Sequence, residues 1–118
     1  MTKFIAVYIG NRASAKAARW DALDEKAKAE RVQAGMEAWQ GWQRDHAGVI
    51  AVEGGPLGKT KRVTSDGVAD SSNDLSGFVV IEAESHDAAA RLFLDHPHFT
   101  IFPGDAVEIM EIMPIPGM

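Results

Sequence analysis

The chain has 118 residues, 46% of them hydrophobic, with 12 Lys and Arg against 17 Asp and Glu and no cysteine. A length of this order predicts a single domain over residues 1–118 that buries roughly 65% of its unfolded surface, enough for a core without disulfides or a structural metal. The net charge of -5, with cations scattered among carboxylates, excludes a basic nucleic-acid face. The lack of cysteine excludes disulfide frameworks, thiolate nucleophiles and Cys-based metal centres. No apolar run approaches the ~20 residues that span a bilayer, and Met1–Ile9 is too short for a signal segment, so the expectation is a cytoplasmic protein that does not enter the membrane.

In chain order, β-branched and aromatic residues over 3–9 predict a first strand, followed by a loop of small and polar residues over 10–15. Asp21 to His46 is rich in strong helix formers and has no proline. Its apolar phase shifts, with Leu23 and Ala27 on one face and Val32, Met36, Trp39 and His46 on another. This predicts two helical pieces bent near Ala29–Val32, the second closed by Gly48 in a left-handed cap. Val49–Glu53 reads as a second strand, ended by a loop at Gly54-Gly55-Pro56-Leu57-Gly58. Residues 59–76 are the least regular stretch, with a short edge strand at Thr60–Thr64. Gly77–Glu84 is the clearest strand. Ser85 then caps a helix over 86–94 that carries Asp87 in its first turn, and Pro97 stops it. A last strand covers 106–113.

The order β-α-β-loop-β-α-β predicts an α+β, ferredoxin-like βαββαβ unit: an antiparallel four-stranded sheet with its helices on one face. Alternation sets Ile5, Val7 and Ile9 against Phe4, Ala6 and Tyr8, and Val79, Ile81 and Ala83 against Phe78 and Val80. Both faces are therefore apolar, and the helices cover one of them. The uncovered face predicts a homodimer through the sheet; the competing expectation is that residues 54–76 fold back over it.

Four stretches carry a resemblance to a known family. They are Ala47-Gly48 through Gly55-Pro56-Leu57-Gly58; Gly77-Phe78-Val79-Val80-Ile81-Glu82-Ala83-Glu84-Ser85-His86-Asp87-Ala88-Ala89; His96-Pro97-His98; and Val107-Glu108-Ile109 before Pro114. Together they resemble the YCII-related (DGPF) family over nearly the whole chain. The resemblance implies a dimeric α/β barrel built on the ferredoxin-like unit. It also implies a group whose reactions are mostly unassigned, some members being read as enzymes with a His–Asp pair. Related barrels include monooxygenases, isomerases and lyases acting on small organic molecules. This chain departs from the pattern in two places. Asp66-Gly67-Val68-Ala69 stands nearest to the Asp-Gly-Pro-Phe signature, and Glu37 falls near the position of a histidine in the first long helix.

The densest chemical constellation is Asp95-His96-Pro97-His98-Phe99 with Phe102-Pro103-Gly104-Asp105. A histidine oriented by a carboxylate serves as a general base near neutral pH. The candidate catalytic residues are thus His98 as base, with Asp105 or Asp95 orienting it, and Phe99, Ile101 and Phe102 as pocket walls. The competing structural reading has His96 capping a helix C-terminus and His98 packing between loops. A metal held by His96, His98 and a carboxylate lacks a third ligand fixed by spacing, and His46 is a poor third, so neither metal nor redox cofactor is expected. Gly54-Gly55-Pro56-Leu57-Gly58-Lys59-Thr60 fails as a phosphate-binding loop because Glu53 stands where its first glycine belongs. Lys59, Lys61 and Arg62 near this glycine-rich turn, with Gly55, are left as an anion contact, opposed by plain solvated charge. Trp39 and Trp42 read first as core and second as a ligand wall; Glu37 lies off their stripe and enters the ligand-binding set through the resemblance. Two functions are open: a small-molecule enzyme of isomerase or lyase type using His/Asp proton transfer, or a non-catalytic ligand-binding or regulatory dimer.

Overall fold

The computed structural model describes residues 1–117. Its strands are β1 (Thr2–Ile9), β2 (Ile50–Pro56), β3 (Thr60–Thr64), β4 (Gly67–Ser71), β5 (Leu75–Ala83) and β6 (Ala106–Glu111). Its helices are α1 (Ala15–Asp21), α2 (Glu25–Asp45), α3 (His86–Arg91) and α4 (Pro97–Thr100). The main sheet has the order β2-β5-β1-β6, all antiparallel. This is the ferredoxin-like arrangement expected from the element order, with an open sheet.

Phe4, Ala6 and Tyr8 of β1 and Val79, Ile81 and Ala83 of β5 form the core with Trp42 of α2, Ala89 of α3 and Phe93. Phe4, Val79 and Ile81 are almost fully buried. Each such side chain contributes about 1.5–3 kcal/mol through removal from water. Alanine at 6 and 89 lets the helical layer close on the sheet; both are fully buried. Trp42 anchors α2 with its indole N–H, which donates to the Leu92 carbonyl at 3.0 Å. The other sheet face carries Ile5, Val7 and Ile9, all half-buried, beside Phe78 and Val80.

Four local expectations need correction. The helical break lies at Ala22–Asp24, not at Ala29–Val32: Asp24 is extended and its side chain accepts from the Ala27 N–H at 2.7 Å, so capping chemistry sets the start of one continuous α2. Its C-terminus is capped at His46, whose Nδ1 bonds the Trp42 carbonyl at 2.8 Å, and Gly48 takes no left-handed conformation. The loop expected at 54–58 is strand as far as Pro56. Gly54 has φ +63 within a bulged register, and an added Cβ would lie 1.9 Å from the Phe78 carbonyl oxygen; glycine is what lets β2 continue along β5 there. Finally, Pro97 opens a helix rather than ending one. It occupies the first turn of α4, behind an N-cap provided by His96.

Residues 60–71 form a separate two-stranded hairpin of β3 and β4, whose side chains are almost all exposed. The hairpin pairs with itself and does not lie back over the apolar face. The radius of gyration is 16.3 Å, against about 13–14 Å for a compact domain of this length. No helix among the described residues is long and apolar enough to cross a membrane.

Candidate functional site

A cavity of about 470 Å³ opens between α2 and the β2–β5–β1 part of the sheet. Met36 and Trp39 of α2, Val79 of β5 and Phe102 give it aromatic and apolar walls, and Gly54, Gly55 and Pro56 form its β2 side. Gly35 is what admits Phe102: an added Cβ would lie 2.5 Å from two of its ring carbons. The ring functions that reach this cavity from the sheet and the α4 segment are Tyr8 and His98.

The segment 95–98 places both histidines inward. Asp95 adopts a left-handed conformation (φ +58), a region that aspartate tolerates better than most residues. The chain then turns into α4 with His96 fully buried and His98 6% exposed. The His96 Nδ1 accepts the His98 backbone N–H at 2.9 Å. That fixes the neutral tautomer: Nδ1 bears the lone pair and Nε2 the proton. The Nε2–H therefore donates to the Tyr8 hydroxyl oxygen, 3.4 Å away. Tyr8 accepts from behind, and its own O–H proton is left for a partner in the cavity. Burial alone raises the Tyr8 pKa well above its ordinary value, so the phenol stays protonated.

His98 is held by its other edge. Its Nε2 donates to the Ile9 carbonyl at 2.8 Å, at the end of β1. Nδ1 is then the lone-pair nitrogen of a ring that lines the cavity, which is the arrangement of a base awaiting a proton. Burial lowers the His98 pKa. The backbone at Ile9 and Ala106 pulls it up, nearby Lys16 pushes it down and Asp105 pulls it up, and burial wins. His96 is pushed further, to about 3, by burial first and then by its histidine neighbours His98 and His46. Both rings are neutral at pH 7.

Asp105 does not orient His98. Its carboxylate accepts from the Asn11 N–H at 2.6 Å, while its backbone N–H shares the Ile9 carbonyl with His98 at 2.9 Å. The orienting acceptor is thus a main-chain carbonyl, and Asp105 acts on His98 through charge. Asp95 is exposed and contributes its conformation. His96 is no C-terminal helix cap; it is the N-cap of α4 and the support of Tyr8. Lys59 is exposed and outside the cavity wall. Glu37 is also outside, accepting from the Gln33 amide at 2.9 Å on the exposed side of α2. Gly55 and Trp39 do line the cavity, Trp39 standing edge-on to His96 with ring centroids 4.5 Å apart.

The cation that matters near this segment is Lys16 of α1, whose Nζ donates to the Phe99 and Gly104 carbonyls at 2.9 and 2.8 Å and so ties down the 99–104 loop. Neither Lys16 nor Tyr8 was legible as a site residue. A tyrosine on the buried parity of a strand is the one available signal, since its hydroxyl needs a partner. Among the described residues no group of three or more His, Asp or Glu side chains is disposed to hold a metal ion.

No family model matches the chain, and no curated protein sequence matches it. Among solved structures the fold is similar to that of 5-chloro-2-hydroxyhydroquinone dehydrochlorinase (TftG) from Burkholderia phenoliruptrix AC1100, in complex with 2,5-dihydroxybenzoquinone. The TM-score is 0.54 at 17% identity, over 94% of this chain and 93% of that one. At that identity the likeness is one of fold.

Proposed function

We propose that the cavity between α2 and the sheet binds a small, flat organic molecule and that His98 transfers a proton on it, in a reaction of isomerase or lyase type. One observation carries this reading: a neutral imidazole with a free lone pair and a phenol with a free O–H line the same aromatic cavity, their rings 5.1 Å apart. The size of the cavity and its largely apolar walls suit a ring-sized ligand.

The chemistry follows from the two groups. His98 Nδ1 removes a proton from carbon next to a carbonyl, and the C–H electron pair moves toward the carbonyl oxygen. The oxygen gains negative charge and takes a hydrogen bond from Tyr8, whose donor is oriented from behind by His96. Return of the proton to another carbon completes an isomerisation. Departure of a leaving group from the adjacent carbon, carrying the electron pair, completes an elimination. The lowered His98 pKa keeps the base unprotonated at neutral pH, and Asp105 offsets the charge of the imidazolium once formed. The similar solved structure is named for an elimination of hydrogen chloride and holds a dihydroxyquinone, which supports a planar enol or quinone as the ligand class.

The test uses 2,5-dihydroxybenzoquinone itself. Protein NMR reads its binding, and the loss of its ring-proton signal in D2O reads base-catalysed exchange. Accelerated exchange that disappears in His98→Gln and falls in Tyr8→Phe supports the enzyme. Binding with no acceleration supports the alternative, a ligand-binding or regulatory module. Failure to bind sinks the proposed ligand class.

We further propose that the protein is a cytoplasmic homodimer through the open sheet face, of the YCII-like dimeric barrel type. Ile5, Val7, Ile9, Phe78 and Val80 give that face a contiguous apolar centre, flanked by the cross-strand pair Lys3 and Glu82. An apolar patch of this kind on a sheet that neither helix nor hairpin covers favours association with a second copy.

A further inference from the structure

We infer that a second cavity, on the other side of Phe102, is a binding site for a small aromatic carboxylate. It measures about 360 Å³ and lies between α1, α2 and the segment after α4. It is separate from the proton-transfer cavity and does not rest on that reading.

Its charge is one-sided. Lys16, Arg19 and Arg31 line it and no Asp or Glu does, in a chain where acids outnumber bases 17 to 12. The ion pairs among the described residues are Lys61–Asp70 and Arg91–Asp87, so Arg19 and Arg31 have no carboxylate partner. Lys16 is already engaged by two carbonyls and is a fixed part of the wall. Two arginines from different helices, both exposed and without an ion-pair partner, line one cavity and can supply the guanidinium donors that a carboxylate takes in bidentate fashion.

The remainder of the cavity is aromatic and apolar. Trp20 lies one residue after Arg19 on α1 and meets Phe102 with ring centroids 6.0 Å apart and planes tilted by 42°. Phe99 completes the wall beneath Lys16, whose Nζ stands 5.8 Å from its ring centre. A ligand with an anionic head and a flat apolar body satisfies both halves, whereas inorganic phosphate satisfies only the cations. Phe102 bounds this cavity and the proton-transfer cavity alike, so an occupant here presses on a wall of the other site.

The experiment is a titration with benzoate, followed by the indole N–H signals of Trp20, Trp39 and Trp42 in a two-dimensional NMR spectrum. A saturable shift of the Trp20 signal is expected, weakened on the order of tenfold or more in Arg19→Gln/Arg31→Gln and retained in His98→Gln. Benzamide, the neutral isostere, shifts it far less, and so does inorganic phosphate. Arg19→Lys/Arg31→Lys, which keeps the charge, checks that a lost response is not a lost fold. Equal responses to benzoate and benzamide, a shift confined to Trp39, or an unchanged affinity in the double glutamine variant would each overturn the inference.

Discussion

His96 makes the stability of this protein depend on pH in a way that can be worked out in advance. The ring is fully buried and its pKa falls from 6.5 to about 3 on folding. Between those pH values the unfolded chain binds a proton that the folded chain refuses, so stability drops as the pH falls. The loss begins below about pH 6.5, grows to about 2 kcal/mol between pH 7 and pH 5, and levels off near pH 3 after a total of about 4–5 kcal/mol. Two kcal/mol is a large share of the ~5–15 kcal/mol that holds a domain together. The assay is urea denaturation of wild type and His96→Gln at pH 7, 6 and 5, where the wild-type midpoint should fall by about 1 M more than that of the variant. His98 is present in both proteins, and its lowered pKa adds pH dependence of the same sign to each. The difference in slope is decisive, whatever the substitution costs at pH 7. Equal pH dependence in the two proteins would refute the buried, neutral state of His96 and with it the hydrogen-bond direction assigned to Tyr8.

Two other outcomes test separate parts of the structure. In Gly104→Ala the new Cβ would lie 2.3 Å from the His98 Cε1 and Nε2 atoms, so the ring must leave the Ile9 carbonyl. A loss of about 1–3 kcal/mol in urea unfolding is expected, together with a changed His98 nitrogen resonance; an unaltered resonance would mean that His98 sits elsewhere. In Val7→Glu a carboxylate is placed on the open sheet face opposite Phe78 and Glu108. Light scattering behind size exclusion should give twice the chain mass for wild type and the single-chain mass for the variant, and a monomeric wild type would remove the sheet-face dimer.

The parts of the fold that strong patterning dictates were readable from the chain. β1 alternates cleanly between a helix-covered and an open face, β5 does so except at Val80, which is buried along with Val79 and Ile81, and Ser85 caps α3 by accepting from the Ala88 N–H at 3.0 Å, as its place before His86-Asp87 implies. The rest was decided by partners distant in sequence. Gly54 and Pro56 belong to a strand because β5 supplies the ladder and a bulge absorbs the left-handed glycine, which no local propensity announces. Asp24 outweighs the shift in apolar phase that suggested a later bend. At the site, composition and spacing single out the His96–His98 segment, Trp39 and Gly55. They also single out Asp105 and Lys59, and the resemblance adds Glu37, because a charged side chain draws the eye in a sequence and a main-chain carbonyl cannot. The acceptor that holds His98 belongs to Ile9, a residue whose side chain says nothing of that role.

That carbonyl gives the sheet a further meaning. Ile9 oxygen serves the Asp105 amide at the mouth of the β1–β6 ladder and the His98 ring at the edge of the cavity. The pairing of two strands and the aim of one imidazole are thus read off the same atom. A change in β6 that slides its register would re-aim the His98 ring without touching any residue of the cavity wall. Variants selected for altered reactivity are accordingly expected to map to Ala106–Ile109 as often as to the cavity itself, with the strand acting as the tuning screw and the carbonyl as its stop.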